Sequence, residues 1–593
     1  AKKTVSRLQH NVNVPDSIRG GGSPFTTVTY SPLSASASKK KNPDASSKAG
    51  QIVYTYGSAN MLKQYNWLPS SSDEGSEASS TEDKESQGDR RKQTGSSRGT
   101  GIGFAIKANQ WANESCKYMF DSSYDRVIIL GDRIYECANA ICKRLAQELG
   151  KPKSREVQDN GESDVKPSST VADTNLNHAV KEEPTGEADI EREEDNFSSW
   201  FEGIKVNHVD YPSSEVIRVL GRIVVESSSS TANGTSTDKQ PSTNSRNQAS
   251  KLSIVDYDEH TLRYTRLDLS KVQVPSWWSL FPGQTVLLEG INPRGTMFTV
   301  KQIHCERSLT PPRAPTTLEK TVSFVIASAP YTDIDDLLYE KLASLLAYCN
   351  NNPPDVLILS GPFADADRKL YAEVAETFEE YFEKIIGTIM NSIGGNTEVF
   401  VVAHHNDLVS SFVFPTPPYK VASFYKNLHF LPNPCVFSIE GVEIGITTVD
   451  VIKHLIESEC TVANVMPTGS AAPIGGDKIK RAYGHLFNQA SFYPLNPPPE
   501  DVPLDVDMLN EFGRLSRIPN IMICPSALNR YVREINGCVC INPGFVDGHS
   551  TDGSFARLII QPPEIDEQQQ PRESQSALFP PPTSYIACQI VKT

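Results

Sequence analysis

Beyond residue 318 the chain repeatedly sets a short unbroken apolar run against a longer segment of helical periodicity, and few folds accommodate that grammar. Thr321–Ala327, Asp355–Leu359 and Val399–Ala403 read as strands with no polar alternation. Such runs belong to a sheet covered on both faces. Between them, Ile334, Leu337, Leu338, Leu342, Leu345 and Leu346 predict one helix. Leu370, Val374, Phe378, Phe382, Ile385 and Ile389 predict a second, longer one. Cys435–Ile439 and Val442–Thr447 predict a hairpin turning at Glu440-Gly441. Later strands are expected at Ile521–Cys524, Cys538–Ile541, Ala556–Ile560 and Tyr585–Val591, the last preceded by a Pro/Gln-rich loop over 562–582.

Upstream the pattern differs. Val216–Val225 (interrupted at Gly221), Leu252–Tyr257, Leu262–Leu269, Val286–Gly290 and Met297–Ile303 are short strands separated by turn signals, which suggests a small β-barrel over 197–310. A Ser-rich loop, 227–250, interrupts it. Asp132–Leu149 reads as an amphipathic helix that Gly150 ends, within a short helical segment over 101–150. Residues 1–100 form a mostly disordered Ser/Pro/Lys-rich linker, holding one extended apolar stretch at Ile52–Gly57, and 151–196 an acidic disordered insertion. Ser23-Pro24 and Ser31-Pro32 offer Ser23 and Ser31 to proline-directed kinases, and Lys39-Lys40-Lys41 could aid nuclear import.

The chain of 593 residues carries a net charge of −15. A broad grip on nucleic acid calls for a basic stripe, so DNA is expected as an indirect or weak partner. The eleven cysteines lie scattered through apolar segments without a CxxC pair, which reads as core thiols in a reducing compartment rather than a zinc ribbon. No apolar run reaches membrane-spanning length, and Ala1-Lys2-Lys3-Thr4 is not a signal peptide. The expectation is an intracellular, soluble chain that lacks an initiator Met and is truncated at its start.

Two segments carry a family resemblance. Ser279-Leu280-Phe281-Pro282-Gly283-Gln284, continuing through Thr285 to Asn292, looks like the barrel motif of alpha-type B subunits of the eukaryotic replicative DNA polymerases. The 318–593 block resembles the calcineurin-like phosphoesterase fold of that B-subunit family. The matching stretches are Leu357-Ile358-Leu359-Ser360-Gly361-Pro362-Phe363, Tyr493-Pro494-Leu495-Asn496-Pro497-Pro498 and Cys538-Val539-Cys540-Ile541-Asn542-Pro543-Gly544. The resemblance covers 200–593 well and 100–150 more weakly. It implies a multidomain α+β and α/β chain, with an oligonucleotide-binding (OB) barrel packed on a phosphoesterase β-sandwich with flanking helices. It further implies a nuclear replication scaffold that holds the C-terminal domain of the alpha catalytic subunit, with primase in the same assembly and no cofactor.

The resemblance also implies that the phosphoesterase chemistry is gone. A two-metal center needs Asp, His and Asn ligands on loops after the strands. Where active members read Asp-x-His, this chain reads Ser328-Ala329-Pro330. Gly-Asp-x-x-Asp becomes Gly361-Pro362-Phe363-Ala364-Asp365. Gly-Asn-His-Asp/Glu falls on His404-His405-Asn406-Asp407, and Gly-His-x-His falls near Cys524-Pro525-Ser526-Ala527. Proline has no side-chain donor. Two other readings compete. One is an active phosphoesterase or nuclease built on Asp365, His404, His405 and Asp407. The other is a single-strand-binding barrel that stacks bases on Trp277, Trp278, Phe281, Tyr257 and Tyr264 beside Arg263, Arg266, Lys271 and Arg294. Against the second, Asp256, Asp258, Glu259 and Asp268 lie among those bases.

Overall fold

The computed structural model describes residues 50–65, 67, 102–106, 117–150, 198–225, 251–258, 261–272, 277–307, 309–315, 317–333, 336–463, 477–546, 553–563 and 580–593. The apolar runs after 318 assemble into two sheets. The first runs Ile52–Tyr56, Ile586–Lys592, Ser554–Ile560, Val322–Ser328, Val356–Ser360, Glu398–Val402, Leu428–Leu431. Its last four strands are mutually parallel. The second runs Tyr531–Ile535, Cys538–Asn542, Ile521–Ile523, Val442–Ile446, Cys435–Ile439, Phe104–Ile106.

Strand side chains alternate between faces, and that alternation builds four layers. Phe324, Ile326, Ile358 and Phe400 of the first sheet meet Phe437, Ile444, Ile523 and Ile541 of the second in one core. The opposite face of the first sheet, with Val325, Leu357, Leu359 and Val401, packs under the helices Glu340–Asn351 and Phe378–Ile393. The opposite face of the second, with Met522, Cys538 and Cys540, packs under Val451–Ser458 and Lys478–Gln489. Both faces of the central strands are therefore dry, which is why their sequences show no alternation. Each fully buried Leu, Ile or Phe stabilises this arrangement by ~1.5–3 kcal/mol. The cysteines of the described residues are unpaired and all buried apart from the half-buried Cys305. No described helix is long and apolar enough to cross a membrane.

Both expected helices begin later than their periodicity suggests. Tyr339 holds a left-handed φ of 54°, so the first helix starts at Glu340, and Leu337 and Leu338 precede it; Ile334 lies outside the described residues. Leu337 is nonetheless buried, so its apolar character reports the core and not the helix. The long Leu370–Ile389 helix divides into a 3-10 turn, Lys369–Glu373, and a helix from Phe378. Thr377 stops it: its hydroxyl accepts from the Glu380 N–H, and the Glu380 carboxylate reaches back to the Thr377 N–H. The hairpin at Glu440-Gly441 forms as expected, with φ of 48° and 79°.

The smaller element is a closed five-stranded barrel. Ser213–Val225, Leu252–Asp258, Thr261–Asp268, Met297–His304 and Thr285–Asn292 pair in that order, and the last pairs back onto the first. Gly221 does not interrupt the first strand. A Cβ there would collide with the Val255 carbonyl, so glycine lets two strands approach closely. Ser198–Phe201 and Ile204–Asn207 extend the sheet. The amphipathic helix runs Ser123–Gly150, nine residues longer at its start than its periodicity suggests. Ile134, Ala138, Ile141 and Leu145 pack on Ile204, Val206, Leu220 and Leu287 of the barrel sheet. Ile52–Tyr56, expected inside a mostly disordered linker, is instead an edge strand on Ile586–Lys592. Phe104–Ile106 covers an edge of the second sheet. Ser23, Ser31, the 151–196 insertion and the 227–250 loop lie outside the described residues.

Candidate functional site

Parallel register places Ser328, Ser360 and Val402 side by side, so the loops that follow them gather at one edge of the sheet. The Ser360 hydroxyl donates to Ser328 Oγ at 2.8 Å. The next residues are Ala329-Pro330 and Gly361-Pro362, both cis. Two tyrosines then fill the edge. Tyr331 stacks on Phe363 with centroids 5.0 Å apart and donates to the Ser360 carbonyl at 3.0 Å. The Tyr419 hydroxyl accepts from the His404 N–H at 3.1 Å and donates to Asp407 Oδ2 at 3.0 Å. It lies so close over Gly361 that a Cβ at that position would collide with it.

Asp407 is the hub of this edge. Its Oδ2 accepts from Phe363 N at 2.5 Å and Ala364 N at 3.4 Å, which ties the Gly361 loop to the His404 loop. Burial raises its pKa to about 6, while those hydrogen bonds pull the other way. Asn406 Nδ2 donates to Asp365 Oδ1 at 2.8 Å and to Asp367 Oδ2 at 2.9 Å. His404 Nδ1 accepts from Asn406 N at 3.0 Å. His405 Nε2 faces the Asp501 carbonyl at 3.1 Å, so that nitrogen carries the proton. The two rings stack 4.4 Å apart. Burial lowers the pKa of His405 to about 4 and drives that of His404 well below its usual value. Both imidazoles are therefore neutral, and the neighboring carboxylates are engaged in tying the loops together. Among the described residues no group of three or more His, Cys, Asp or Glu is placed to hold a metal ion.

Of the residues singled out from sequence, Ser328, Gly361, Asp365, His404, Asn406 and Asp407 are joined by this register and network, with Pro330 and Pro362 in the same loops. Pro525 sits apart, at the end of a second-sheet strand. Its neighbors Ser526 and Ala527 donate N–H groups to Asn542 Oδ1 at 3.0 Å and to Asp450 Oδ2 at 2.8 Å. Tyr331 and Tyr419 are not among the residues the sequence points to. A tyrosine in a loop carries no local signal of what it will reach.

The Ser279–Gln284 stretch has a different job in the fold. Trp277–Leu280 pairs with Cys460–Ala463. Phe281 is wholly buried against the Tyr493, Phe487 and Leu486 cluster of the sandwich, and Trp278 is buried in the barrel core. Neither ring is on the surface, so neither is free to stack a base. Trp277 contributes backbone pairing to Ala463. Gly283 has φ 96°, and a Cβ on it would lie 2.6 Å from Asn496 N. This is the point where the barrel backbone meets Tyr493–Asn496. Gln489 clamps the same seam, donating to the Thr285 carbonyl at 3.1 Å and accepting from its N–H at 2.9 Å.

Ser279, His485 and Glu459 meet here in an arrangement that superficially suggests a nucleophilic triad. Ser279 Oγ lies 3.0 Å from His485 Nε2 and 2.9 Å from Glu459 Oε2. However, His485 Nε2 is itself 3.7 Å from that same oxygen. A triad needs the carboxylate on the far ring nitrogen. Glu459 also forms a buried ion pair with Arg481. The cluster is a polar clamp between barrel and sandwich.

Residues 324–533 match the family of B subunits of DNA polymerases alpha and epsilon, and residues 199–305 match the OB domain of the DNA polymerase alpha B subunit. Three similar curated proteins are each named as the B subunit of DNA polymerase alpha. The one from Drosophila melanogaster is 44% identical over 48% of this chain and 45% of its own length. The one from Mus musculus is 33% identical, covering 51% and 50%. The one from Schizosaccharomyces pombe is 30% identical, covering 60% and 61%. The chain spans about half the length of the first two of these relatives.

Proposed function

The chain belongs to the B-subunit family of DNA polymerase alpha, and from that premise we propose that it is a non-catalytic scaffold of the polymerase alpha–primase assembly. In this reading the sandwich is a calcineurin-like phosphoesterase domain over 318–593 whose metal site has been lost, and the barrel domain over 197–310 is docked on it. Residues 1–100, 101–150 and 151–196 serve as linker, helical segment and insertion. The combined body binds the C-terminal domain of the alpha catalytic subunit, keeps primase within the same complex, and supports initiation of primer synthesis in the nucleus. Phosphorylation at Ser23 or Ser31 would add about −1.5 to −2 charges each to the linker.

One observation carries the proposal. The loops at the strand ends present Pro330 and Pro362 where ligands would be required, and the surviving Asp407 is consumed by Phe363 N, Ala364 N and Tyr419. A fold kept without its chemistry is kept for its surface. The test is metal content of the purified chain by mass spectrometry, run beside a pull-down with the catalytic subunit's C-terminal domain. The expected result is no stoichiometric metal and a stable complex. About two metals per chain, with manganese-dependent phosphodiester hydrolysis lost in Asp365→Ala, would move the enzyme reading to the front. Salt-sensitive single-strand binding lost in Trp277→Ala would favor the barrel reading.

A further inference from the structure

The helix Ser123–Gly150 carries two apolar stripes. One, through Ile134, Cys137, Ala138, Ile141 and Leu145, is buried on the barrel. The other, Tyr124, Val127, Ile128, Gly131 and Tyr135, recurs at helical spacing on a neighboring face. Its later half is covered. A Cβ on Gly131 would touch Tyr257 Cβ at 3.3 Å, and Tyr135 stacks on Phe201 with centroids 6.0 Å apart. Its first half overhangs the barrel. Tyr124 is 61% exposed, Val127 39%, Ile128 42%, and the adjoining Met119 and Phe120 are 42% and 75% exposed. Five large apolar side chains adjoining along one run of chain are more than scattered surface hydrophobics.

The surroundings of this face are acidic. Asp121 precedes the helix, Asp125 lies in its first turn, and Asp505 and Asp507 come from the helix Val506–Phe512 and its cap. Asp505 accepts from Met119 N at 2.6 Å, which fixes the two elements together. Asp121 Oδ2 is buried without a hydrogen-bond partner. Burial raises the Asp121 pKa, and the like charges of Asp505 and Asp507 raise it further against Arg126. Lys117, a second nearby cation, sits over the Phe120 ring at 4.9 Å. An apolar ridge beside excess carboxylate favors an occupant that brings both aliphatic side chains and positive charge.

We propose that the overhanging start of this helix is a docking face for a basic amphipathic helix of a partner protein, with Tyr124, Val127 and Ile128 taking its apolar side and Asp121 and Asp507 its lysines or arginines. This face adjoins the seam, where Ile129 and Leu130 of the same helix line a cavity with Gly283, Thr285 and Gln489, and it stands independently of the scaffold reading.

The test is a fluorescence-anisotropy titration of the full chain with a synthetic helical peptide of leucines at i, i+3, i+4 and i+7 and lysines elsewhere. A twin peptide with glutamates in place of the lysines is the control. Saturable binding of the lysine peptide is expected. It should weaken roughly tenfold or more in Tyr124→Ser/Ile128→Ser, weaken in Asp121→Asn/Asp507→Asn with a shallower salt dependence, and be absent for the glutamate twin. Equal binding of both peptides, or lysine-peptide binding indifferent to these substitutions, overturns the proposal. So does sedimentation showing a dimer that Tyr124→Ser/Ile128→Ser dissolves, since the occupant would then be a second copy. Pull-down of the catalytic subunit's C-terminal domain by the same variants reports on the scaffold reading separately.

Discussion

Asp407→Asn is expected to stabilise the chain at neutral pH relative to mildly acidic pH, although it removes the hub of the strand-end loops. Asp407 is 3% exposed, and burial raises its carboxyl pKa from 3.8 to about 6. The folded chain therefore binds this proton roughly a hundredfold more tightly than the unfolded chain, which corresponds to ~3 kcal/mol. Because the folded value is the higher one, the stability associated with Asp407 is fully present below pH ~4. It falls as pH rises toward and past the folded value. Asparagine keeps one oxygen to accept from Phe363 N and the Tyr419 hydroxyl and carries no charge to bury. The cost falls at Oδ1, where the 3.5 Å contact from Val409 N would meet an NH2 group. Urea unfolding of wild type and variant, followed by circular dichroism at pH 4 and pH 7.5, isolates the group, because all other titrations cancel in the difference. The difference should move by ~3 kcal/mol toward the variant across that interval. A difference that stays flat with pH would refute the argument that burial governs this carboxylate. Asp407→Leu is the counterpart. It orphans the buried Phe363 and Ala364 N–H groups at ~1–3 kcal/mol apiece and should destabilise at every pH.

Three further outcomes follow from the geometry. Gly283→Ala places a side chain at φ 96° against Asn496 N and Pro494 O; it should cost on the order of 1–3 kcal/mol from the backbone alone and open the barrel–sandwich seam to limited proteolysis, and unchanged melting would contradict the close approach. Glu459→Gln leaves the Arg481 guanidinium buried beside a neutral amide and should lose about 3–5 kcal/mol, with the double change Glu459→Gln/Arg481→Met recovering much of it in thermal unfolding. Thr377→Ala removes the capping box with Glu380 and should lower stability by about 1 kcal/mol, read as a reduced melting temperature with the catalytic-subunit pull-down unchanged.

The strand–helix grammar after 318 is legible because both faces of the central strands are dry, and a dry strand such as Val356–Ser360 must be apolar throughout. The barrel is legible because turn glycines punctuate its strands. Helix starts are less so. Leu337 and Leu370 are apolar for the core, while Tyr339 and Thr377 decide where the helices begin, and the Thr377-x-x-Glu380 signal is present in the sequence to mark the second. The identities of Pro330, Pro362 and Pro525 are properties of the sequence alone, as is their lack of side-chain donors. That Tyr419 fills the space over Gly361, that Asp407 binds two loops, and that Phe281 is a seam residue depend on partners distant in the chain, from Asp407 beside Tyr419 to Tyr493 beside Phe281. Ile52–Tyr56 reads as part of a linker because five residues carry too little local signal, and only the waiting edge of Ile586–Lys592 makes them a strand. Composition and periodicity are local and fix which segments are buried. Contact is non-local, and only the folded chain settles what each buried or exposed side chain meets.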